Sequence, residues 1–237
     1  MQVAGTIKVI RFNWPKYLCA LAILVAAAIA STASAPRPVS GMLWVAGVPG
    51  LLWAVTSLVA TWWVYDHRQV YERLTEGLAE IGEWAAVHAG FDDSADALRA
   101  SIGRPPAAVA EIALAPGHSL RRARRLSQHP PACAPVDGVA LAAGSLDSIF
   151  LTFAAHEVRD LAGQRALFSD LRKALRPSGQ LVITEHLRDV ANFAVYGPGA
   201  MHFQPLATWQ ARAAEAELSI DGHATITPFV HRIVCRR

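Results

Sequence analysis

The sequence predicts an α/β fold in which a doubly wound, mostly parallel sheet of seven strands follows two transmembrane helices. Two stretches near the start of the chain, 17–35 and 39–65, contain no charged residue. After them, short apolar runs alternate with amphipathic helical patterns, which is typical of a parallel sheet with helices on both faces. Several of these runs end in polar side chains, and open α/β sheets bind ligands at the carboxyl ends of their strands.

The two uncharged stretches predict a helical hairpin in a membrane. Of the 237 residues, 53% are hydrophobic and 17% are charged, and the apolar excess is concentrated here. The helices would be about 28 and about 40 Å long, which is enough to cross a hydrocarbon core of about 30 Å. We expect a tail at 1–16, a hairpin with helices at 17–35 and 42–65, and one further domain at 66–237.

Basic residues predict the orientation of the hairpin. They precede the first helix and follow the second, and one lies in the connection: Lys8, Arg11 and Lys16, then Arg68 and Arg73, with Arg37 between. Because Lys and Arg favour the cytoplasmic side, we expect a multi-pass membrane protein, in the inner membrane if the source is bacterial. Both termini and the domain at 66–237 would be cytoplasmic. Aromatic residues crowd the second helix, as at a membrane interface: Trp44, Trp53, Trp62, Trp63 and Tyr65.

A cleaved signal peptide is the alternative for the first helix. Ala33-Ser34-Ala35 has the small-x-small pattern of a cleavage site. Pro36 would directly follow the cut, which is a poor place for cleavage, and the second helix would still anchor the protein. We therefore favour the uncleaved hairpin.

The rest of the chain is predicted to alternate between helices and strands. A helix at 66–81 has one apolar face, because four apolar residues recur at spacings of four and three: Val70, Leu74, Leu78 and Ile81. A helix at 92–102 has Asp92 or Asp93 as its N-cap. The last helix is expected at 205–218, and Gly197 to Gly199 are expected to form a loop.

Seven apolar runs supply the strands. In chain order we expect them at 84–87, 107–114, 138–141, 149–153, 181–184, 220–226 and 229–235. His156-Glu157 follows the fourth run, and Glu185-His186 follows the fifth after a Pro-Ser-Gly turn has separated it from the preceding helix. Because parallel strands end at the same edge of a sheet, these two polar pairs should stand side by side.

The segment 141–187 resembles the fourth strand, following helix and fifth strand of class I S-adenosylmethionine (SAM)-dependent methyltransferases. The likeness runs from about 84 to 237 and is strongest at four stretches: Ser145-Leu146-Asp147, Ala155-His156-Glu157, 171–177 and 181–185. The family shows an S-F-D before strand four, an L-H-H-like elbow after it and an L-R-x-L-K-P-G-G turn before strand five. The resemblance implies the same fold, SAM as the cofactor and the transfer of a methyl group.

The resemblance also implies where SAM would bind. The family has a glycine-rich turn after strand one, where the backbone can approach the cofactor. Residues 87–93 read V-H-A-G-F-D-D, so Gly90 alone remains of those glycines. The implied cofactor contacts are His88, Gly90, Glu111 and Asp137. Of these, Glu111 lies slightly before the acidic position that accepts the ribose hydroxyls, and Asp137 matches the acidic residue beside the adenine.

Histidines and carboxylates gather at the predicted ligand edge. His88, His156, His186 and His202 fall at strand ends or in the loop after strand five, together with Glu157 and Glu185. Methyl transfer requires an in-line geometry and the removal of a proton. We expect His156 or His186 to be the base, oriented by Glu185 or Glu157. The structural alternative is that the glutamates pair with nearby arginines and the histidines bond to the backbone.

No metal is expected at this edge. Imidazole and carboxylate groups suit zinc, manganese or iron, but H-E-V-R-D at 156–160 lacks the second histidine of an H-E-x-x-H motif. Cys19, Cys133 and Cys235 have no metal-like spacing and indicate reduced thiols rather than disulfides.

Two further segments have a structural and a functional interpretation. The basic run 121–125 is a solvated helix face or a contact with anionic headgroups. We expect no nucleic-acid partner, because aromatic interleaving is missing and the net charge is only +3. The apolar segment 192–203 either packs on the sheet or membrane, or forms a lid over the acceptor pocket.

The sequence therefore predicts a membrane-anchored, SAM-dependent methyltransferase. Its partners would be the lipid bilayer and a lipophilic acceptor of the quinone, polyprenyl, lipid or pigment type. A catalytically silent domain that serves as a membrane-tethered binding or assembly protein is the alternative, and another SAM-using or metal-assisted reaction is a third option. The oligomeric state has no signature in the sequence.

Overall fold

The computed structural model describes residues 4–32, 36–78, 80–90, 94–114, 121, 124–125 and 141–237. The helices are α1 (Ala4–Thr32), α2 (Arg37–Thr61), α3 (Ala95–Ile102), α4 (Leu161–Ala174), α5 (Val190–Tyr196) and α6 (Leu206–Glu215). The strands are β1 (Trp84–His88), β2 (Ala108–Glu111), β3 (Leu146–Thr152), β4 (Leu175–Glu185), β5 (Ser219–Thr227) and β6 (Val230–Arg236). A π-helical turn, Trp62–His67, extends α2, and short 3₁₀ helices lie at Val70–Arg73, Ala155–Glu157 and Gly197–His202.

Helices α1 and α2 form an antiparallel pair at the two predicted apolar stretches. Asn13–Thr32 and Arg37–His67 are long and apolar enough to cross a membrane, by length and composition. Only 6% of each apolar window is buried inside the protein, so neither segment is a core helix of the domain. The helices approach closely at Gly47, where a Cβ atom would lie 2.9 Å from Cδ2 of Leu24.

Asp66 ties the end of this pair to its beginning. The carboxylate of Asp66 accepts the backbone N–H of Gly5 and of Thr6, each at 2.8 Å, and also accepts the hydroxyl of Thr6. The first N–H groups of a helix have no partner within the helix, so Asp66 satisfies two of them from the far end of α2. The start of α1 is thereby fixed beside the α/β domain.

The predicted helix at 66–81 is wrong. Gln69 has a φ of 48° and Gly77 a φ of 68°, and these left-handed positions interrupt a regular α-helix. The break lets neighbouring apolar residues reach different clusters. Val70 packs in one with Val64, and Leu74 packs in another with Trp84. The apolar spacing thus identified buried residues, but not the backbone that carries them.

The sheet has six strands in the described residues, in the order β2-β1-β3-β4-β6-β5. Strands β1 to β4 pair in parallel, and β6 pairs antiparallel with both β4 and β5. Of the predicted third strand, residues 138–140 lie outside the described residues, and Leu141 is not in a strand. The other six predicted strands are confirmed, so the mixed α/β fold follows the sequence pattern.

The boundaries of several elements deviate from the predictions. Ser94, rather than Asp92 or Asp93, is the N-cap residue of α3, and 92–93 lie outside the described residues. The predicted loop at 197–199 belongs to a 3₁₀ helix. Strand β4 already begins at Leu175, so the predicted turn before it, where Ser178 has a φ of 67°, is an irregular part of that strand.

Apolar side chains cover the two faces of the sheet. On one face, Trp84 and Phe150 pack edge to face, with ring centroids 5.9 Å apart, beside Leu98 of α3. On the other face, Phe168 of α4 stacks on Trp209 of α6, within a cluster that contains the alternate residues of β1, β3 and β4. This two-sided core is that of a doubly wound sheet, and it fixes the carboxyl ends of β1 to β4 along one edge.

Candidate active site

Four of the predicted site residues lie at the carboxyl edge of the parallel strands. His88 ends β1, Glu111 ends β2, Glu185 ends β4, and His156 lies in the 3₁₀ helix after β3. Two of them are in direct contact, because Nδ1 of His156 lies 2.7 Å from Oε2 of Glu185. The fourth and fifth predicted strands are β3 and β4 of the structure, and the predicted proximity of the polar residues at their ends is confirmed.

His156 is held between two carboxylates. Its backbone N–H donates to Oε1 of Glu185 at 3.3 Å, and its Nε2 lies 3.5 Å from Oε1 of Glu157 on the other side. The side chain of Glu185 is 1% exposed and that of His156 is 15% exposed. Since both ring nitrogens face carboxylate oxygens, the arrangement favours a ring that carries a proton on each.

The electrostatics of His156 follow from this geometry. Burial lowers the pKa of His156, but the charges and hydrogen bonds of Glu185 and Glu157 outweigh burial and raise it to about 10. The same contact holds the pKa of Glu157 below its usual range, because the His156 ring donates to that carboxylate. At neutral pH the centre is therefore an imidazolium between two carboxylates.

His186, the residue after β4, has a different environment. Its Nδ1 lies 2.7 Å from the carbonyl oxygen of Phe229. A carbonyl oxygen only accepts, so Nδ1 carries the proton and Nε2 of the neutral ring is an acceptor. The hydroxyl of Tyr65 lies 3.0 Å from that Nε2 and donates to it. Burial lowers the pKa of His186 to about 4; the hydrogen bond to Phe229 opposes this shift, and the nearby charge of His156 adds to it.

Aromatic rings enclose His186. Its ring stacks between those of Phe153 and Phe203, with centroids 5.0 and 5.1 Å away. Tyr196 meets the same ring edge to face at 5.5 Å, and Phe203 also meets the ring of His156 at 5.8 Å. The two histidines thus share an aromatic wall, although only His156 has a carboxylate partner.

Sequence reasoning missed Tyr65 as a site residue. Tyr65 lies in the π-helical turn at the end of α2, and its place at the end of an apolar stretch identified it only as an interfacial aromatic. Its contact with His186 spans 121 positions in the chain, which no local pattern encodes. A π-helical turn often accompanies a functional site, but this turn is seen only in the structure. The sequence therefore carried no signal for Tyr65.

The predicted cofactor contacts lie at the ends of β1 and β2. His88 and Glu111 are paired in register across the two strands, and Nδ1 of His88 accepts the N–H of Gly90 at 3.2 Å. Oε1 of Glu111 accepts from Nε and an Nη of Arg124 at 2.8 and 2.7 Å. Oε2 of Glu111 is buried and has no hydrogen-bond donor among the described residues. Asp137 lies outside the described residues.

The remaining strand-end histidine, His202, lies at the end of the 3₁₀ helix Gly197–His202. Partial burial and the charges of Arg159 and Lys16 lower the pKa of His202. Its position shows that α1, which carries Lys16, comes close to this edge of the sheet. Among the residues that the structure describes, no group of three or more His, Cys, Asp or Glu side chains could hold a metal ion.

Comparison with solved structures places this architecture. The chain resembles the pyocyanin biosynthetic protein PhzM, at 13% identity and a TM-score of 0.53, over 85% of this chain and 59% of PhzM. It resembles a chain of the complex between the Haloferax volcanii Trm112 methyltransferase activator and a putative methyltransferase, at 12% identity and a TM-score of 0.51, over 73% and 91%. The PH0226 protein from Pyrococcus horikoshii OT3 gives 13% identity and a TM-score of 0.50, over 73% and 90%.

No protein-family profile matches the chain, and no curated protein matches it. At identities this low, the structural likeness shows the fold and nothing about activity. Two observations indicate the same fold: the strand order, which has an antiparallel pair at one edge, and the likeness to solved methyltransferases. The chain has the α/β fold of class I SAM-dependent methyltransferases.

Proposed function

We propose that the protein is a membrane-anchored methyltransferase that transfers a methyl group from SAM to a lipophilic small molecule. The buried His156–Glu185 pair is the observation that carries this proposal. Burying charged groups is costly, and well-packed apolar residues often stabilise a core at least as well. A buried ion pair at the edge where α/β sheets bind ligands is therefore better explained by a catalytic role than by a contribution to the stability of the fold.

The ends of β1 and β2 fit a bound SAM molecule in part. A buried acceptor without a donor costs about 1–3 kcal/mol, and the unpaired Oε2 of Glu111 would accept from the ribose hydroxyls. Gly90 has a φ of 83°, which makes a tight turn after β1 where the backbone can approach the cofactor. Bound SAM would supply an activated methyl group on its sulfonium.

His156 would act on the acceptor. Its Nε2–H lies at a long 3.5 Å from Glu157, so it is able to donate instead to an acceptor oxygen and to hold that oxygen as the anion that attacks the methyl group. The raised pKa of His156, about 10, matches that of a phenol, about 10 in water. A quinol-type or pigment hydroxyl would release its proton to water on binding and be held as its anion beside the imidazolium.

The surroundings of the two histidines support a lipophilic acceptor. Phe203 and Tyr196 line the space next to them, and Tyr65 brings the end of α2 to the same place. An aromatic wall that includes the end of an apolar hairpin suits a ring or a polyprenyl chain better than a charged metabolite. In this assignment His186 is a neutral, fully hydrogen-bonded part of the wall, and its role as a base stays a prediction.

Two measurements on the full-length protein in lipid nanodiscs test the proposal. The first is calorimetric titration with SAM, and saturable binding is expected. The second is transfer of labelled methyl groups to a prenylated phenol, which His156→Asn should abolish while SAM binding is retained. His223→Asn is the matched control, because His223 is exposed on β5. SAM binding without any effect of His156→Asn on transfer would remove His156 from the proposal.

A catalytically silent domain remains the second candidate, and one observation favours it. The guanidinium of Arg124 already binds Oε1 of Glu111 through two nitrogens, which neutralises the carboxylate that SAM would need. A folded protein that shows no heat and no thermal shift with SAM would be such a domain. Its role would then be that of a membrane-tethered binding or assembly protein.

A further inference from the structure

The segment 190–202, here called the lid, exposes an apolar surface. It contains no Asp, Glu, Lys or Arg residue. Three large apolar side chains are exposed on it: Val190 at 87%, Phe193 at 46% and Met201 at 59%. The outer face of a surface helix in water ordinarily carries charged and polar residues. The lid has the opposite composition, so its exposed surface is better suited to an apolar environment.

The lid packs directly on α2. At Gly197, a Cβ atom would lie 2.7 Å from Cδ2 of Trp53, so the indole ring covers the glycine. About one turn further along α2, the hydroxyl of Thr56 donates to the carbonyl oxygen of Val195 at 3.4 Å. The lid is therefore held against the outer side of the hairpin, and not only against the sheet.

The apolar surface of the lid continues that of the hairpin. Val190 and Phe193 are three residues apart in α5, so they lie on one face of that helix, and both side chains are exposed. At the same level of α2, Leu52 and Val59 are exposed. The exposed side of α2 and the exposed surface of the lid meet where the lid contacts Trp53 and Thr56. Lipid that covers the exposed side of α2 would therefore also reach the lid.

The position along the hairpin sets the depth of the lid. From Arg37 to Trp53, α2 rises about 24 Å, and from Thr32 back to Lys16, α1 descends about 24 Å. Trp53 and Lys16 therefore lie at about the same level, close to the far boundary of a hydrocarbon core of about 30 Å. Lysine and tryptophan are the residues that anchor a helix at that boundary. The lid, in contact with Trp53, lies at the cytoplasmic edge of the core.

We infer that the lipid bilayer covers the lid, with Val190, Phe193 and Met201 inserted between the headgroups and the acyl chains. Helices of this kind lie about 5–10 Å deep in the interface. The lid ends beside Phe203, which contacts the rings of both His156 and His186. A lipophilic acceptor would thus reach His156 from the plane of the membrane. This inference rests on the membrane anchor of the proposed function, but not on SAM binding.

Site-directed spin labels on the full-length protein test the inference. The protein is reconstituted in phosphatidylcholine–phosphatidylglycerol vesicles after Cys19, Cys133 and Cys235 have been replaced by alanine. Labels at Phe193→Cys and Met201→Cys report on the lid. Val45→Cys, exposed on α2, reports on membrane insertion, and Asp221→Cys, exposed on β5, reports on water. Power saturation compares collisions with oxygen, which partitions into lipid, with collisions with a water-soluble nickel chelate.

We expect the two lid labels to collide more with oxygen than with the nickel chelate, as the Val45 label does and in contrast to the Asp221 label. Lid labels that match Asp221, in a protein whose Val45 label is in lipid, would overturn the inference and leave the anchor intact. A Val45 label in water would remove the anchor and the inference together, whereas SAM titration of the same sample still decides the enzyme. Shielding from both reagents with dipolar broadening would mean that a second copy covers the lid, which also contradicts the inference.

Discussion

The hydroxyl of Tyr65 lies 3.0 Å from Nε2 of His186, and this hydrogen bond joins the end of the apolar hairpin to the end of β4. The ring of Tyr65 also meets that of Phe153 edge to face, with centroids 5.8 Å apart. It lies tilted against the ring of Tyr71, with centroids 5.5 Å apart. The hairpin is thus not a tether attached by a free linker. Its last turn forms part of the wall of the candidate site.

Replacing Tyr65 by phenylalanine is expected to lower the thermal unfolding temperature. The change keeps the ring and removes the hydroxyl that donates to the buried Nε2 of His186, and a buried acceptor that loses its donor costs about 1–3 kcal/mol. Thermal unfolding in nanodiscs measures the loss. A double-mutant cycle with His186→Phe is the control, because the hydrogen bond is already missing in that variant. If Tyr65→Phe has the same effect in both backgrounds, the hydrogen bond contributes nothing to stability.

The pairing of His156 with Glu185 was predictable, whereas the contact of Tyr65 with His186 was not. Apolar runs and a helix between them identify neighbouring parallel strands, and parallel strands end at one edge. The first contact therefore follows from local patterns. The second depends on how the end of α2 packs on the sheet, and the left-handed backbone at Gln69 that turns the chain there has no sequence signal of its own.

Among the predicted cofactor contacts, too, part of the structure was predictable from the sequence and part was not. Glu111 was identified from the resemblance, and the structure places it at the end of β2 beside His88. Its ion pair with Arg124 was not foreseen, because a basic run on a surface helix ordinarily faces water. Spacing along the chain gives the position of a side chain in the fold, but the charge that neutralises it comes from tertiary packing.

The two central histidines should give the protein a stability maximum near neutral pH. The pKa of His186 falls from about 6.5 in the unfolded chain to about 4 in the fold. Its contribution is therefore complete above pH 6.5 and is lost as the pH falls towards 4. The pKa of His156 rises to about 10, so its contribution is complete below pH 6.5 and is lost as the pH rises towards 10. Each slope is at most about 1.4 kcal/mol per pH unit.

Thermal unfolding from pH 4.5 to 10 in nanodiscs measures both slopes. His186→Asn should flatten the acid side between pH 4.5 and 6.5, and His156→Asn should flatten the alkaline side between pH 6.5 and 10. Each variant is the control for the other, since both introduce the same side chain at neighbouring sites. An alkaline slope that His156→Asn leaves unchanged would show that His156 is neutral in the folded protein.

Gly197→Ala is expected to detach the lid from α2 and to lower the unfolding temperature by several degrees. The added Cβ would lie 2.7 Å from Cδ2 of Trp53, and a φ of 52° costs an alanine about 1–2 kcal/mol. Gly199→Ala is the matched control in the same 3₁₀ helix, because its Cβ would meet its nearest neighbour, Cβ of Tyr196, at 3.9 Å. Equal unfolding temperatures for the two variants would mean that the contact of Gly197 with Trp53 does not hold the lid.

Glu111→Gln is expected to weaken SAM binding by roughly 10- to 100-fold. The neutral amide oxygen is a weaker acceptor for the ribose hydroxyls than a carboxylate, and a hydrogen bond to a charged group contributes about 1.5–3 kcal/mol. Calorimetric titration with SAM measures the change, and Glu217→Gln, at an exposed ion pair with Arg172, is the control that should bind as the parent does. A second readout separates binding from folding. Two effects on the unfolding temperature without SAM oppose each other. The substitution removes a buried carboxylate whose Oε2 has no donor in the described residues, which stabilises the fold, and it deprives Arg124 of a charged partner, which destabilises it. The unfolding temperature without SAM should therefore change little. If Glu111→Gln binds SAM as tightly as the parent, the ribose does not contact this carboxylate, and the cofactor would have to be placed elsewhere along the edge.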